Sequence, residues 1–349
     1  MLSRFLVISA LILTLAVISA PKRGLDIYFV DVEGGAATLI VTPARESILI
    51  DNGNPGARDA ERIYQAAKTA NLTRIDHFIA THWHLDHYGG TEELAKRIPI
   101  KKFYDNGIPE KTIDDPSNFP RLIAAYKAAS KGKSKTLRAG DRIPLKQLRN
   151  LPKVELLTLI AMQQAIPDRA GAPENPVAKE HKDIEPDTSD NANSLGFRLK
   201  FGDWTFLDLG DLTWNTEVKL ISPTDKVGPI EVYQTTHHGL NVSNNPVVIK
   251  TVKPRVAIFN NGARKGGHQD VTNTLRAIPG MQAIWQVHRN VTVGPELNTH
   301  SEFIANQEEQ CRGEYIKLSV EPDAKHYTVQ IGPKGASRRY KTRGAGGRA

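Results

Sequence analysis

Cysteine is almost missing: Cys311 is the single one in 349 residues, so no intrachain disulfide forms and no cysteine cluster holds a metal or an iron–sulfur centre. Stability must come from packing. At 40% hydrophobic and 24% charged, the chain has the composition of one large packed domain, neither a disordered tail nor a membrane bundle. Long apolar runs are scarce too. One covers residues 5–20 behind the basic head Met1-Leu2-Ser3-Arg4, shorter than the ~20 residues of a bilayer-spanning helix, and no second one follows. It reads as a signal peptide or N-terminal anchor over residues 1–20, which predicts an exported protein, periplasmic, secreted or membrane-anchored. Ile18-Ser19-Ala20 is a serviceable cleavage site, but Pro21 directly behind it obstructs cleavage, so both forms stay open. Acid is missing from residues 334–349, where Lys334, Arg338, Arg339, Lys341, Arg343 and Arg348 supply most of the net charge of +8. That run predicts a solvated, disordered tail with some attraction to phosphate-rich polymers.

What is present is a regular alternation of β-rich runs and helical patterns. Runs at 25–32, 37–41 and 47–50 are separated by Glu33-Gly34-Gly35 and other turn signals, and the third ends in Asp51-Asn52-Gly53. A helical pattern at 57–70 precedes a short buried strand at 76–80. Helices are expected at 91–96, 120–130 and 271–277, and strands at 141–145, 154–160, 195–199, 205–209, 231–235, 256–259, 283–287, 315–320 and 327–331. The polar stretch 165–190, rich in Pro and Gly, reads as a long mobile loop. No internal repeat shows by identity, yet two rounds of strands followed by helices suggest a duplicated sandwich in one domain over residues 24–333.

The strand at 76–80 runs straight into Thr81-His82-Trp83-His84-Leu85-Asp86-His87. Three imidazoles and a carboxylate within six residues are a metal-ligand arrangement. Neutral nitrogen and hard oxygen together suit one or two Zn²⁺ ions, with Mn²⁺ and Fe²⁺ also accommodated.

The His-x-His-x-Asp-His pattern followed by Gly89-Gly90 resembles the signature of the metallo-β-lactamase superfamily. The resemblance continues through Phe29-Val30-Asp31-Val32-Glu33-Gly34-Gly35, the Ile50-Asp51-Asn52-Gly53 turn, Asn193-Ser194-Leu195, Leu209-Gly210-Asp211-Leu212 and Thr236-His237-His238-Gly239. In that order these motifs look like the nuclease-like domain of ComEC-type DNA-uptake proteins, across roughly residues 25–290. The transmembrane region of the transporters has no counterpart, so DNA uptake is not implied. The resemblance implies an α/β fold, the αββα metallo-β-lactamase sandwich, with metals at one edge of the sheets. It implies that His82 and His84 hold a first ion, Asp86 and His87 a second, and that Asp211 bridges them. One of His237 and His238, with His238 favoured beside the turn glycine, completes the ligand set of the second ion. The first site lacks the third histidine of many superfamily members, because Asn193-Ser194 stands there. Gly266-Gly267-His268 resembles the family's Gly-His-Pro element with Gln269 for proline, so His268 is expected either to contact substrate or to serve the loop.

The expected activity is that of a metal-dependent hydrolase whose nucleophile is water activated by the ion. Asp86 or Asp211 would orient that water, and His237, if not a ligand, would protonate the leaving group. A phosphodiester or other phosphoester is the favoured substrate, small or polymeric, nucleic acid included, and no obligate protein partner is evident. A lactone or β-lactam would serve the same nucleophile. An iron-binding oxidoreductase or a non-catalytic metal-binding protein of the same fold are the competing classes.

Overall fold

The computed structural model describes residues 23–112 and 114–344. The expected signal or anchor lies outside them. No helix among the described residues is long and apolar enough to cross a membrane.

Two mixed sheets face each other. The first carries, in chain order, β1 (Leu25–Phe29), β2 (Thr38–Val41), β3 (Ser47–Ile50), β4 (Ile75–Ile79), β5 (Ile100–Asp105) and β6 (Lys135–Thr136). The second carries β7 (Val154–Ala161), β8 (Gln164–Ala165), β9 (Gly196–Phe201), β10 (Trp204–Asp208), β11 (Val232–Gln234), β12 (Val256–Phe259), β13 (Ala283–His288) and β14 (Ile304–Asn306). The chain then returns to the first sheet with β15 (Ile316–Val320), β16 (His326–Ile331) and β17 (Ser337–Lys341). The spatial orders are 17-16-15-1-2-3-4-5-6 and 14-13-12-11-10-9-7-8. The early hairpins are antiparallel, whereas β3 to β6 and β10 to β14 run parallel.

Alternation explains the layering. Ile27, Phe29, Ile48 and Ile50 of the first sheet meet Phe197, Leu199, Phe206 and Ile258 of the second in a fully buried middle layer. The opposite face of the first sheet, with Leu39, Leu49 and Phe78, is covered by α1 (Ala57–Thr69), α2 (Leu85–Tyr88), α3 (Thr91–Arg97) and α4 (Phe119–Ser130). Ala60, Ile63, Ala66 and Ala67 form the buried stripe of α1, at the spacing of a one-sided helix. Beyond the second sheet, Leu207, Tyr233 and Ala257 pack under α6 (Pro246–Val252) and α7 (Gln269–Arg276), with the short α5 (Trp214–Glu217) after β10. The result is the expected αββα sandwich.

Three local expectations are corrected. Residues 141–145 form no strand beyond an isolated bridge from Arg142 to Leu157, because Pro144 has no N–H to give a ladder. The basic tail is not free: β17 pairs with β16, and Tyr340 is buried with its ring stacked 5.2 Å from Tyr327. The charges of Arg338, Arg339 and Lys341 stay exposed, which an edge strand tolerates. Residues 345–349 lie outside the described ones. In place of a free loop, residues 165–190 hold a short 3₁₀ turn, Pro176–Glu180, and are fastened by Asn175 to Ile221 and Thr251 and by Asp168 to Lys226 at 2.8 Å.

Candidate metal centre

The parallel strands of both sheets end at the same edge, and every candidate ligand sits on a loop just past such an end, the usual place for sites in sheets of this kind. After β3, Asp51 adopts φ 59°; after β4 come His82 and the single turn of α2; after β10 comes Asp211; after β11 come His237 and His238. Both of these histidines lie in the left-handed region, φ 53° and 56°, a conformation costly for such residues and typical of functional loops. Gly239 follows at φ 80°, and a Cβ there would stand 2.3 Å from the Phe259 ring. The loop turns this tightly because only glycine fits.

Two ligand groups result, His82 with His87 and Asp211, and Asp86 with His87 and His238. His87 belongs to both. Its Nε2 lies 3.1 Å from Asp211 Oδ2, while its Nδ1 lies 2.7 Å from Asp51 Oδ2. Asp51 is fixed in turn by Thr81, whose N–H and hydroxyl each donate to it at 2.8 Å. A buried carboxylate behind an imidazole orients the ring and raises its basicity, the usual support of a metal-bound histidine. His238 Nε2 lies 3.2 Å from Asp211 Oδ2 and 3.6 Å from Asp86 Oδ2. Ser194, standing in place of a third histidine, accepts the Asp211 N–H at 3.2 Å.

The electrostatics follow from burial. His82 is held well below its ordinary pKa by burial and by His87 and His84 beside it, so its imidazole is neutral. Burial opposes charge on Asp211 and Asp86 as well, but the surrounding histidines draw both carboxyls well below the usual range. His87 is pulled the other way: against burial, Asp211, Asp51 and Asp86 raise it well above the imidazole range. A lone positive proton is thus wanted at the point where carboxylates converge. Within the same space His82 Nε2 and Asp211 Oδ1 are buried without hydrogen-bond partners among the described residues. Orphaned donor and acceptor atoms of this kind cost roughly 1–3 kcal/mol each. The neutral His82 nitrogen, the ionised Asp211 and Asp86 oxygens and the unpaired atoms beside them fit a divalent cation such as Zn²⁺.

The grouping differs from the expected one. His84 turns outward and bonds Asp114 through Nε2, joining neither ligand group, because Asp114 accepts both it and the Asp190 N–H. His237 stands at the rim, with Nδ1 3.1 Å from Ser243 and Nε2 3.5 Å from Asp211. Burial pushes its pKa down to about 4 despite Asp211. It lines a cavity of about 230 Å³ walled by Ile184, Trp214 and Val242, with Glu185 and Asp187 at its edge. His268 precedes α7; its backbone N–H bonds Gly239 at 2.9 Å, and its side chain is in neither ligand group.

Three participants were not singled out from sequence. Asp51 was visible only as a turn residue. Lys265, whose Nζ lies 2.5 Å from Asp86 Oδ2, carried no signal at all. Buried Glu217 accepts the N–H groups of Asn244 and Asn245 at 3.1 and 2.7 Å, and Asn244 bonds Thr236 and Leu240, which clamps the His237–His238 turn.

Residues 30–158, just over a third of the chain, match the family model described as the metallo-β-lactamase superfamily. Among curated proteins, the β-lactamase-like protein 2 homolog of Caenorhabditis elegans is 28% identical over 74 residues, 20% of this chain and only a quarter of that relative's length. Among solved structures, CmlA, a diiron β-hydroxylase from Streptomyces venezuelae, covers 76% of this chain and 53% of its own, at 15% identity and TM-score 0.43. A metallo-β-lactamase from Cronobacter sakazakii covers 59% of this chain and 76% of its own, at 13% identity and TM-score 0.35. The segment bearing the histidine cluster thus matches the metallo-β-lactamase superfamily, and the two facing sheets with their outer helices are consistent with an αββα sandwich of that kind.

Proposed function

We propose that this chain is a metal-dependent hydrolase of a small phosphoester. The observation that carries the reading is the convergence of His82, His238, Asp86 and Asp211 around His87, with buried His82 Nε2 and Asp211 Oδ1 lacking hydrogen-bond partners among the described residues. One or two ions bound there would lower the pKa of water towards ~7 and polarise the oxygen of the electrophile, chemistry well suited to in-line displacement at phosphorus. Asp86 or Asp211 would orient that water. Lys265 brings a positive charge to Asp86, where an anionic phosphoryl oxygen would gain from it. His237, neutral and held by Ser243, is suited to hydrogen-bonding the leaving group; burial leaves it a poor standing acid.

The cavity beside His237 argues about size. Its apolar walls and the acidic pair Glu185 and Asp187 suit a small apolar or cationic group, such as a choline-like moiety, better than a polyanionic nucleic-acid strand. The motif order resembling ComEC-type domains supports a phosphoester, and the apolar run at 5–20 supports export.

The test is metal content by elemental mass spectrometry together with hydrolysis of bis(p-nitrophenyl) phosphate, p-nitrophenylphosphorylcholine and nitrocefin. The expected result is bound Zn²⁺ or Mn²⁺ and cleavage of the phosphoesters, with the choline ester preferred. Cleavage of nitrocefin alone would move the assignment to a lactamase. Metal-loaded protein inert towards all three would overturn it.

A further inference from the structure

A second group of metal-ligating side chains lies away from the histidine cluster. Asp31, just past β1, His288, the last residue of β13, and Cys311, on the passage from the second sheet back to the first, place their ligand atoms within 4.8 Å of one another. Bond lengths of about 2.0–2.3 Å around a tetrahedral ion require ligand atoms roughly 3.5 Å apart, a small contraction from there. Cys311 Sγ already lies 3.1 Å from Asp31 Oδ2.

The independent sign is on the histidine. His288 is fully buried, and its Nδ1 lies 3.1 Å from the carbonyl oxygen of Arg289. Donation to that carbonyl fixes the tautomer and leaves the lone pair on Nε2, the arrangement seen behind metal-bound imidazoles. That Nε2 is buried and has no partner among the described residues. We propose that Asp31, His288 and Cys311 form a second metal site, taking a borderline-soft divalent cation such as Zn²⁺ and tying together chain segments from both sheets.

The charges around it are compatible. Arg62 lies 3.1 Å from both Asp31 and Glu33, and Arg58 lies 3.0 Å from Glu33 and 2.6 Å from Asp59. Three carboxylates against two guanidinium groups leave one net negative charge. On binding, the Cys311 S–H bond breaks, its proton goes to solvent and its sulfur bonds the ion; the second negative charge so created balances a divalent cation. Arg62 keeps Glu33 as a partner while Asp31 turns to the metal. The sulfur mixed with nitrogen and oxygen favours Zn²⁺ or Co²⁺ over Mg²⁺ or Ca²⁺.

Because the chain has one cysteine, its sulfur is a site-specific reporter. Chelator-stripped, full-length protein is titrated with Co²⁺ while the near-ultraviolet thiolate-to-cobalt charge-transfer absorption is followed; the histidine cluster has no sulfur and cannot give it. The expected result is a band that saturates in wild type, is absent in Cys311→Ser, and shifts to at least ~10-fold higher Co²⁺ in His288→Gln. Zn²⁺ should abolish the band and slow alkylation of Cys311. No band in saturated wild type overturns the proposal however the variants fold, and so does a band that His288→Gln leaves unmoved. Either result stands apart from phosphoester hydrolysis, which the histidine cluster alone would support.

Discussion

The first sheet delivers His82, Asp86 and His87 from one loop after β4, while the second sheet delivers Asp211 and His238 from the ends of two different strands. The supports differ as well. Asp51 and Thr81 hold the first loop by direct bonds to the ligand side chains of His87 and His82, whereas the second loop is held through its backbone by Asn244 and Glu217. One half of the centre is therefore rigid by its own ligands, and the other borrows its rigidity from a buried polar network.

The sharpest way to break the comparison is His87→Ala, which removes the ligand shared by both groups. It should lower metal content and reduce hydrolysis by at least ~10²- to 10³-fold, read by elemental analysis and initial rates. Retained metal and activity would show that the two groups are not one centre.

The second loop has a pH signature. Burial raises the Glu217 carboxyl from 4.5 to about 7, opposed by the backbone N–H groups of Asn245 and Asn244. The folded state then holds a proton that the unfolded state releases between pH ~4.5 and ~7, so stability falls as pH rises through that window, by up to about 3 kcal/mol. Urea unfolding of wild type and Glu217→Gln across that range should show the slope in wild type only. The variant itself should be weaker at pH 4.5, because its amide N–H₂ would face a backbone donor.

The first loop should answer a subtler change. Asp51→Asn keeps the shape behind His87 but loses the charge, and should weaken metal affinity about 10- to 100-fold in competition with a chelator, with a normal far-ultraviolet spectrum. Smallest of all is His84→Ala: since His84 bonds Asp114 and joins neither group, metal stoichiometry should stay at the wild-type value. Loss of one equivalent would return His84 to the ligand set.

How much of this was legible follows the same division. The contiguous cluster and the alternating strands stood out because their periodicity is local. His84 could not be told from its neighbours, since its outward turn depends on Asp114 thirty residues on. Lys265 reaches Asp86 across 179 residues, and Asp31 meets Cys311 across 280, distances at which no spacing rule operates. β17 hid behind its charge: in Ser337–Lys341 only Tyr340 turns inward, and one buried aromatic among basic residues looks like a solvated run. At 141–145 the apolar content of a strand was present, and Pro144 withheld the hydrogen bond it needed.

The return of β15 to pair with β1 has a consequence for how this molecule is made. As the chain emerges, β1 and β2 can join early, but the other edge of β1 has no neighbour until residues 316–320 arrive. Throughout synthesis, and through any passage across a membrane, that edge is an open template for stray strands. Because β15 arrives so late, followed only by β16 and β17, a chain halted before it would present an aggregation-prone edge even with every residue of the histidine cluster already in place.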